Sequence, residues 1–169
     1  MAKNIEVIIK KAVNEGIEAG RRLSVSAPYD AYKAVERRLR ALPDLKDKVK
    51  EEREYLEDLL TYGLPKHSND IIRFKRSGVR LSDEEILEAL IMDLKASIAA
   101  NEHEIKTVED ALEVLKTDPY YPVIKGKYFE QLSDEVLAEE LFCDASTVRR
   151  NKARLVRRLA VRLYGVKAL

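Results

Sequence analysis

A group of basic side chains near the C-terminus has the residue types and the spacing that bind nucleic acid. From residue 145 to the end of the chain there are eight basic residues and no acidic one. Since the whole chain has a net charge of +1, the first 144 residues carry −7. A phosphate backbone attracts such a segment whatever the DNA sequence. An arginine early in a helix can also form paired hydrogen bonds with guanine in the major groove.

Eight residues of this segment are candidates for contact with double-stranded DNA. Arg149 and Arg150 lie near the start of the predicted helix, where base edges are read. Later residues are expected to contact phosphates or a protein partner. The alternative, that these arginines are ordinary solvated surface residues, is less favoured because the segment contains no acidic residue to compensate their charge. The candidate DNA-binding residues are Ser146, Thr147, Arg149, Arg150, Lys152, Arg154, Arg157 and Arg158.

The residues around this segment have the pattern of a helix-turn-helix. Ser133 and Asp144 are N-cap candidates for two successive helices that meet at a tight corner. The first helix is expected from about Asp134 to Leu141, and the second from Ala145 to about Tyr164. A short helix, Val123 to Tyr128, is expected to precede them.

A heptad pattern over residues 83–116 predicts a long helix with one apolar seam. Ser82 and Glu85 form a capping box at its start, and the seam spacing alternates between four and three. Asn101 is polar, so it either sets the register of pairing or faces solvent. The seam positions are Leu87, Ile91, Leu94, Ile98, Asn101, Ile105, Val108, Leu112 and Leu115.

An upstream amphipathic run, from about Pro28 to Thr61, matches this helix in length. Pro43 interrupts the run, so the helix is expected either to kink or to divide there. The two runs predict an antiparallel helical hairpin with a basic loop at residues 63–81. A further amphipathic helix is expected over residues 2–24. The sequence leaves open whether the seam pairs within one chain or between chains, and what the loop does.

We therefore expect an all-α protein in which a long, coiled-coil-like antiparallel hairpin is followed by a C-terminal helix-turn-helix domain. Residues 1–117 would form a helical oligomerisation or partner-docking region, and residues 118–169 the DNA-binding domain. There is no apolar run long enough to span a membrane, and one cysteine gives no disulfide framework. A cytoplasmic protein without membrane contact is expected.

Catalytic chemistry has little support in the sequence. His67, His103 and Cys143 are far apart and lack metal-ligand spacing. The chain has no glycine-rich phosphate loop and no nucleophile elbow. Paired acids such as Glu51 and Glu52 are expected on solvated helix faces. We expect no catalytic residues, no metal, no cofactor and no enzymatic activity.

Residues 124–159 resemble region 4 of bacterial sigma factors, the domain that reads promoter DNA. Leu137-Ala-Glu-Glu-Leu141 is similar to its first helix, and Asp144-Ala-Ser-Thr-Val-Arg-Arg150 to its cap and recognition helix. The wider plan resembles phage-encoded late-gene transcriptional regulators of the autolysin-regulator (ArpU-like) type. The resemblance implies that the residues facing the major groove are Ala145, Ser146, Thr147, Arg149 and Arg150.

Two positions depart from the sigma pattern. Phe142 stands where the pattern has a turn glycine, so the corner is expected to close without left-handed backbone or to shift slightly. Asn151 stands where the pattern has an apolar packing residue three positions after Val148. No sigma region 2 is present, so the resemblance does not imply a complete sigma factor.

These observations favour a sequence-specific DNA-binding transcriptional regulator of phage or prophage origin, in a bacterial host cell. Double-stranded DNA is the expected partner, and RNA polymerase and further copies of the chain are additional candidates. One alternative is a phage small terminase subunit that recognises packaging DNA. Another is a helical polymerase-binding or anti-sigma-like protein without DNA readout. The target sequence, the sense of regulation and the subunit count are left open.

Overall fold

The regular elements of the protein are α-helices throughout the part of the chain that the structure describes. The computed structural model describes residue 9 and residues 11–17, 30–65, 82–165 and 168. Residues 11–17 are helical and lie within the predicted N-terminal helix, whose ends, like Pro28 and most of the 63–81 loop, fall outside the described residues. The principal helices are α1 (Ala31–Tyr62), α2 (Asp83–Glu113), α3 (Tyr121–Tyr128), α4 (Asp134–Glu140) and α5 (Ala145–Tyr164).

The predicted all-α class is confirmed, since these described residues contain no strand. The hairpin followed by a helix-turn-helix, as a specific arrangement, stays a prediction. No helix among the described residues combines the length and the apolar character needed to cross a membrane.

Helix α1 passes through Pro43 without dividing. Proline removes one hydrogen-bond donor and crowds the preceding turn of a helix. Leu42 and Val49, before and after the proline, are nevertheless both buried at helical spacing, so the apolar face of the helix continues past the proline. At the start of α1, the Asp30 carboxylate accepts a hydrogen bond from the Lys33 backbone N–H at 2.9 Å, as an N-cap residue does.

Helix α2 begins with the predicted capping box. The Ser82 backbone N–H donates to Glu85 Oε2 at 2.8 Å, and the Glu85 backbone N–H donates to Ser82 Oγ at 3.2 Å. These bonds satisfy two donors that a helix start leaves without partners. The helix ends at Glu113, three residues before the predicted end at Lys116, because the chain tightens there into turns with bonds such as Leu115 N–H to the Leu112 carbonyl.

The chain divides into two compact units, and each unit includes part of both long helices. The first comprises Met1–Gly20 and Lys46–His103, and the second comprises Arg21–Leu45 and Glu104–Leu169. The predicted boundary near Asp118 does not coincide with this division, because α3 and α5 share a core with residues 31–45 of α1 and 104–113 of α2. The buried members of this core are Ala31, Val35, Leu39, Leu42, Val108, Ala111, Leu112, Leu115, Ile124, Tyr128, Leu155, Val156, Leu159 and Ala160.

Within the second unit, an ion pair also joins the two long helices. Arg38 of α1 donates two hydrogen bonds to the Glu104 carboxylate of α2, at 2.5 and 2.7 Å. The same guanidinium lies 5.5 Å from the centroid of the Tyr164 ring of α5, within the range of a cation–π contact. One arginine side chain thus links α1 both to α2 and to the end of α5.

The predicted apolar seam, which extends from α2 into the turns after it, is buried unevenly. Ile98, Val108, Leu112 and Leu115 are buried, whereas the other seam positions are half-buried. In the first unit, Ile86 and Leu90 are buried instead of their neighbours on the predicted seam, so the apolar face there is rotated by about one residue. The half-buried seam positions are Leu87, Ile91, Leu94, Asn101 and Ile105.

Asn101 belongs to a polar cluster between α1 and α2 in the first unit. Glu52 accepts hydrogen bonds from Ser97 Oγ at 2.8 Å and from Asn101 Nδ2 at 3.2 Å, and Lys48 Nζ lies 3.6 Å from it. The Glu52 side chain is only 15% exposed, so the expectation that it would be solvated is wrong. The two hydrogen-bond donors and the nearby ammonium group stabilise a carboxylate that would otherwise be costly to bury, and they favour one register between the two helices.

We expect Asn101→Leu to lower the free energy of unfolding by about 1 kcal/mol, because Glu52 would lose a hydrogen-bond donor. In a chain that already carries Glu52→Leu, the same substitution should cost much less, since no carboxylate is left unsatisfied. Urea unfolding of the two single variants and the double variant measures this difference. An equal cost in both backgrounds would show that Asn101 does not act through Glu52.

The corner between α4 and α5, residues 141–144, contains left-handed backbone at a residue with a large side chain. Phe142 has a φ of 50°, and the residue is 96% exposed. The expectation that the corner would avoid this conformation is therefore wrong. The Cys143 backbone N–H donates to the Ala138 carbonyl at 2.9 Å, a bond that requires the chain to turn back over the end of α4. The left-handed conformation costs a non-glycine residue about 1–2 kcal/mol.

Replacing Phe142 tests this backbone strain. We expect Phe142→Gly to be more stable than Phe142→Ala by about 1 kcal/mol, because only glycine adopts the left-handed conformation without steric cost. Phe142→Ala itself should have little effect, since the phenylalanine ring is almost fully exposed. Thermal unfolding of the two variants makes the comparison, and equal stability would argue against strain at this corner.

Candidate nucleic-acid interface

Helices α3, α4 and α5 are held together by a small apolar cluster. Val123, Leu137, Ala138 and Val148 form its buried centre. Gly126 allows α3 to approach closely, since a Cβ atom at this position would lie 2.5 Å from Leu137 Cδ2. This packing sets how α4 and α5 lie on either side of their corner.

The predicted N-cap residues lie at the starts of α4 and α5. Ser133 Oγ accepts a hydrogen bond from the Val136 backbone N–H at 3.2 Å, so Ser133 is confirmed as the N-cap of α4. Asp144 occupies the N-cap position of α5 in extended conformation, but its side chain makes no capping hydrogen bond. Its backbone carbonyl instead accepts from the N–H groups of Thr147 and Val148.

One face of α5 is buried and includes Asn151. Leu155 and Leu159 have no exposed surface, and Asn151 is only 8% exposed. Asn151 Nδ2 donates to the Thr147 carbonyl at 3.0 Å, and Asn151 Oδ1 accepts from Arg154 Nε at 3.1 Å. The polar residue therefore fits into the interface, because both ends of its amide have partners.

The opposite face of α5 presents Ser146, Arg150 and Arg157, which we call the exposed stripe. These residues are four and seven positions apart, a spacing that brings side chains to one side of a helix. All three are exposed. Among the described residues, no carboxylate forms an ion pair with Arg150 or Arg157. Within the described part of the chain, the guanidinium groups of these two arginines are therefore open to an external anion.

Arg149 and Thr147, the other predicted residues near the start of α5, differ in how accessible they are to a ligand. The Arg149 side chain is 64% exposed; its Nε lies 3.8 Å from Asp134 Oδ2 and donates to the Ala145 carbonyl at 3.3 Å. Lys127 is the closer partner of this aspartate, at 2.7 Å. Thr147 is half-buried. Arg149 can thus leave its contacts at little cost, whereas Thr147 offers less surface to a ligand.

Asp118 holds two of the predicted DNA-binding arginines. Arg154 donates to both carboxylate oxygens at 2.8 Å, and Arg158 donates to Oδ2 at 2.9 Å. The Tyr120 backbone N–H also donates to Oδ1, at 3.1 Å. The Asp118 side chain is 9% exposed. Hydrogen bonds from Arg154 hold the pKa of Asp118 below its ordinary value, because they stabilise the charged form.

Lys152 is held by an acid of α1. Its Nζ lies 3.5 Å from Glu36 Oε1, the oxygen that also accepts a hydrogen bond from the Tyr128 hydroxyl at 2.6 Å. Burial raises the pKa of Tyr128, and the bond to Glu36 raises it further. Lys152 is therefore part of a polar contact between α1, α3 and α5.

The local sequence contains no sign of these ion pairs. Asp118 lies 36 and 40 residues before Arg154 and Arg158, and Glu36 lies 116 residues before Lys152. The inference that the basic segment lacks compensating acids holds for the segment alone. The fold supplies acids from elsewhere, so Lys152, Arg154 and Arg158 form a paired group. Ser146, Arg150 and Arg157 form the exposed stripe, and Thr147 and Arg149 belong to neither group.

The described residues include no group of three or more histidine, cysteine, aspartate or glutamate side chains arranged to hold a metal ion. Cys143 is a free, half-buried thiol. Comparison of the chain with protein-family models, curated proteins and solved structures finds no match. The likeness to sigma region 4 and to ArpU-like regulators therefore rests on the amino-acid sequence alone.

We expect Asp118→Asn to lower stability at neutral pH, and the difference from the wild-type protein to disappear in acid. The unfolded Asp118 has a pKa near the ordinary 3.8 and the folded one a lower pKa. Its stabilising contribution is therefore complete above the ordinary value and is lost as the pH falls through the folded value. Thermal unfolding over this pH range measures the effect.

Asp110→Asn is the matched control, because Asp110 is an exposed acid of α2 in the same unit. It removes the same charge without freeing an arginine. A stability gap between wild type and Asp118→Asn that stays constant down to acid pH would contradict the assignment of the gap to the carboxylate.

Proposed function

We propose that this chain is a sequence-specific DNA-binding transcriptional regulator of phage or prophage origin, which reads the major groove with α5. The observation that carries the proposal is the exposed stripe of Ser146, Arg150 and Arg157, whose arginines have no ion-pair partner among the described residues. The stripe lies on a helix that follows α4 after a short corner, an order typical of recognition helices. The resemblance to sigma region 4 supports the same assignment.

Each residue of the exposed stripe has a proposed role, as does the neighbouring Arg149. Arg150, in the second turn of α5, would donate to O6 and N7 of guanine. Ser146 and Arg149 would contact a neighbouring base or phosphate, and the N–H groups of the first turn favour an approaching phosphate. Arg157 lies about two turns further on, where a straight helix leaves the groove, and would bind phosphate.

Large apolar side chains exposed in the first unit support a role for that unit in self-association or in docking a partner such as RNA polymerase. Leu60, Tyr62 and Met92 are 61%, 82% and 58% exposed. Measuring the mass in solution separates the alternatives. Rings of many subunits would favour a packaging role like that of a small terminase subunit, and a monomer or dimer would favour a regulator.

The sharpest test compares Arg150→Ala with Arg157→Ala. On the preferred site, selected from a random pool of duplexes, Arg150→Ala should cost about 1–3 kcal/mol, and far less on random DNA. Arg157→Ala should weaken binding to both DNAs by similar factors and reduce the salt slope by about one. The reason is that a base contact carries sequence information and a phosphate contact does not.

Lys106→Ala serves as the control, because it removes one positive charge from an exposed position on α2 of the same unit. It should change both affinities only slightly. Equal losses for Arg150→Ala on selected and random DNA would contradict base readout by Arg150. No binding of the wild-type chain to duplex DNA at low salt, together with tight binding to polymerase, would favour the anti-sigma-like alternative.

A further inference from the structure

We propose that Asp118 limits the sequence-independent affinity of α5 for DNA, because it holds Arg154 and Arg158 in ion pairs that a DNA phosphate would otherwise occupy. This inference rests on the proposed function and assigns a regulating residue to the same surface. Asp118 lies between α2 and α3, outside the helices of the predicted helix-turn-helix.

The Asp118 carboxylate is saturated with donors from its own chain. Arg154 approaches both oxygens in the two-pronged geometry that matches a carboxylate, Arg158 adds a third bond, and the Tyr120 backbone N–H adds a fourth. The side chain is only 9% exposed. The ion pairs of Asp118 therefore have a geometry that the fold fixes, unlike the transient ion pairs between mobile side chains on a protein surface.

Both arginines lie where they could reach the same DNA as the exposed stripe. Arg154 follows Arg150 by four positions and precedes Arg157 by three, so it is a neighbour of both on the helix surface. Arg158 is one turn beyond Arg154. Their side chains are 42% and 48% exposed, so part of each arginine remains accessible to solvent although it is paired with Asp118.

The chemistry of the pair makes Asp118 a competitor of phosphate. A guanidinium presents its parallel N–H groups to carboxylate and to phosphate with nearly the same geometry. A phosphate can bind Arg154 or Arg158 only after it displaces a carboxylate that the fold already holds in place. Since each additional phosphate contact adds about 0.9 to the logarithmic salt slope, two occupied arginines remove up to about two.

Asp118→Asn frees the arginines with little change in shape. The amide oxygen can still accept from the Tyr120 N–H, so the turn is kept, while the negative charge is lost. At low salt, we expect this variant to bind a short random-sequence duplex about tenfold more tightly, with a salt slope steeper by about one to two. Asp110→Asn removes the same charge elsewhere in the unit and should leave the slope unchanged.

Two further variants test whether Arg154 and Arg158 account for the change in salt slope. They also keep the proposal testable if Asp118→Asn does not fold. Adding Arg154→Ala and Arg158→Ala to Asp118→Asn should return the salt slope to the wild-type value. The same two arginine substitutions in the wild-type background should hardly change the slope, since both groups are already occupied. This second measurement decides the question even if Asp118→Asn does not fold.

The outcomes separate the two proposals. If the wild-type chain binds DNA and Asp118→Asn behaves like Asp110→Asn, the role of Asp118 is refuted and DNA binding stands. A loss of about two in slope for Arg154→Ala with Arg158→Ala in the wild-type background refutes it as well. If neither the wild-type chain nor Asp118→Asn binds duplex DNA at low salt, both proposals fail.

Discussion

The burial of the apolar face of α5 is the constraint on which the rest of the second unit depends. Leu155, Val156 and Leu159 have no exposed surface and pack with residues of α1, α2 and α3. Only one rotation of a helix about its axis buries its apolar face, and this rotation determines which residues lie on the opposite, exposed face. The exposure of Arg150 and Arg157 is therefore a consequence of packing on the far side of the helix.

Polar contacts at the edges of this buried face decide which basic side chains remain open to a ligand. Asp118 lies at one edge and Glu36 contacts Lys152 at another. Both acids come from elements that the core already brings against α5, so the ion pairs need no further ordering of the backbone. Tertiary packing thereby lowers the number of basic side chains on α5 that remain available to a ligand, and the net charge of the segment does not show this.

The first unit shows the same combination of apolar packing and a few polar contacts that select one arrangement. Glu52, Ser97 and Asn101 bond to one another between α1 and α2. A mostly buried carboxylate tolerates few changes of register, because a shift of one turn would separate it from its donors. The polar seam residue is thus satisfied within one chain, which accounts for Asn101 without requiring a second subunit.

Much of the architecture follows from local information in the sequence. The all-α class, the capping box at Ser82 and Glu85, the N-cap at Ser133 and the amphipathic pattern of α5 all depend on residues within a few positions of one another. Propensity, capping and periodicity act over that range. The placement of Arg150 in the second turn of a basic helix could accordingly be predicted from the sequence, although the sequence did not show which of the other basic residues the fold pairs with acids.

Other features depended on contacts between distant parts of the chain. The acids that hold Lys152, Arg154 and Arg158 come from distant positions in the sequence, and no local pattern marks them as partners. The left-handed backbone at Phe142 and the continuous helix through Pro43 both go against local preference, because packing around the corner and along α1 outweighs the cost at a single residue. The amino-acid sequence alone determines the chemistry of the side chains and the periodicity of the helices. The tertiary structure determines which charges form ion pairs and which strained residues are tolerated, because both depend on the distant groups that the core brings together.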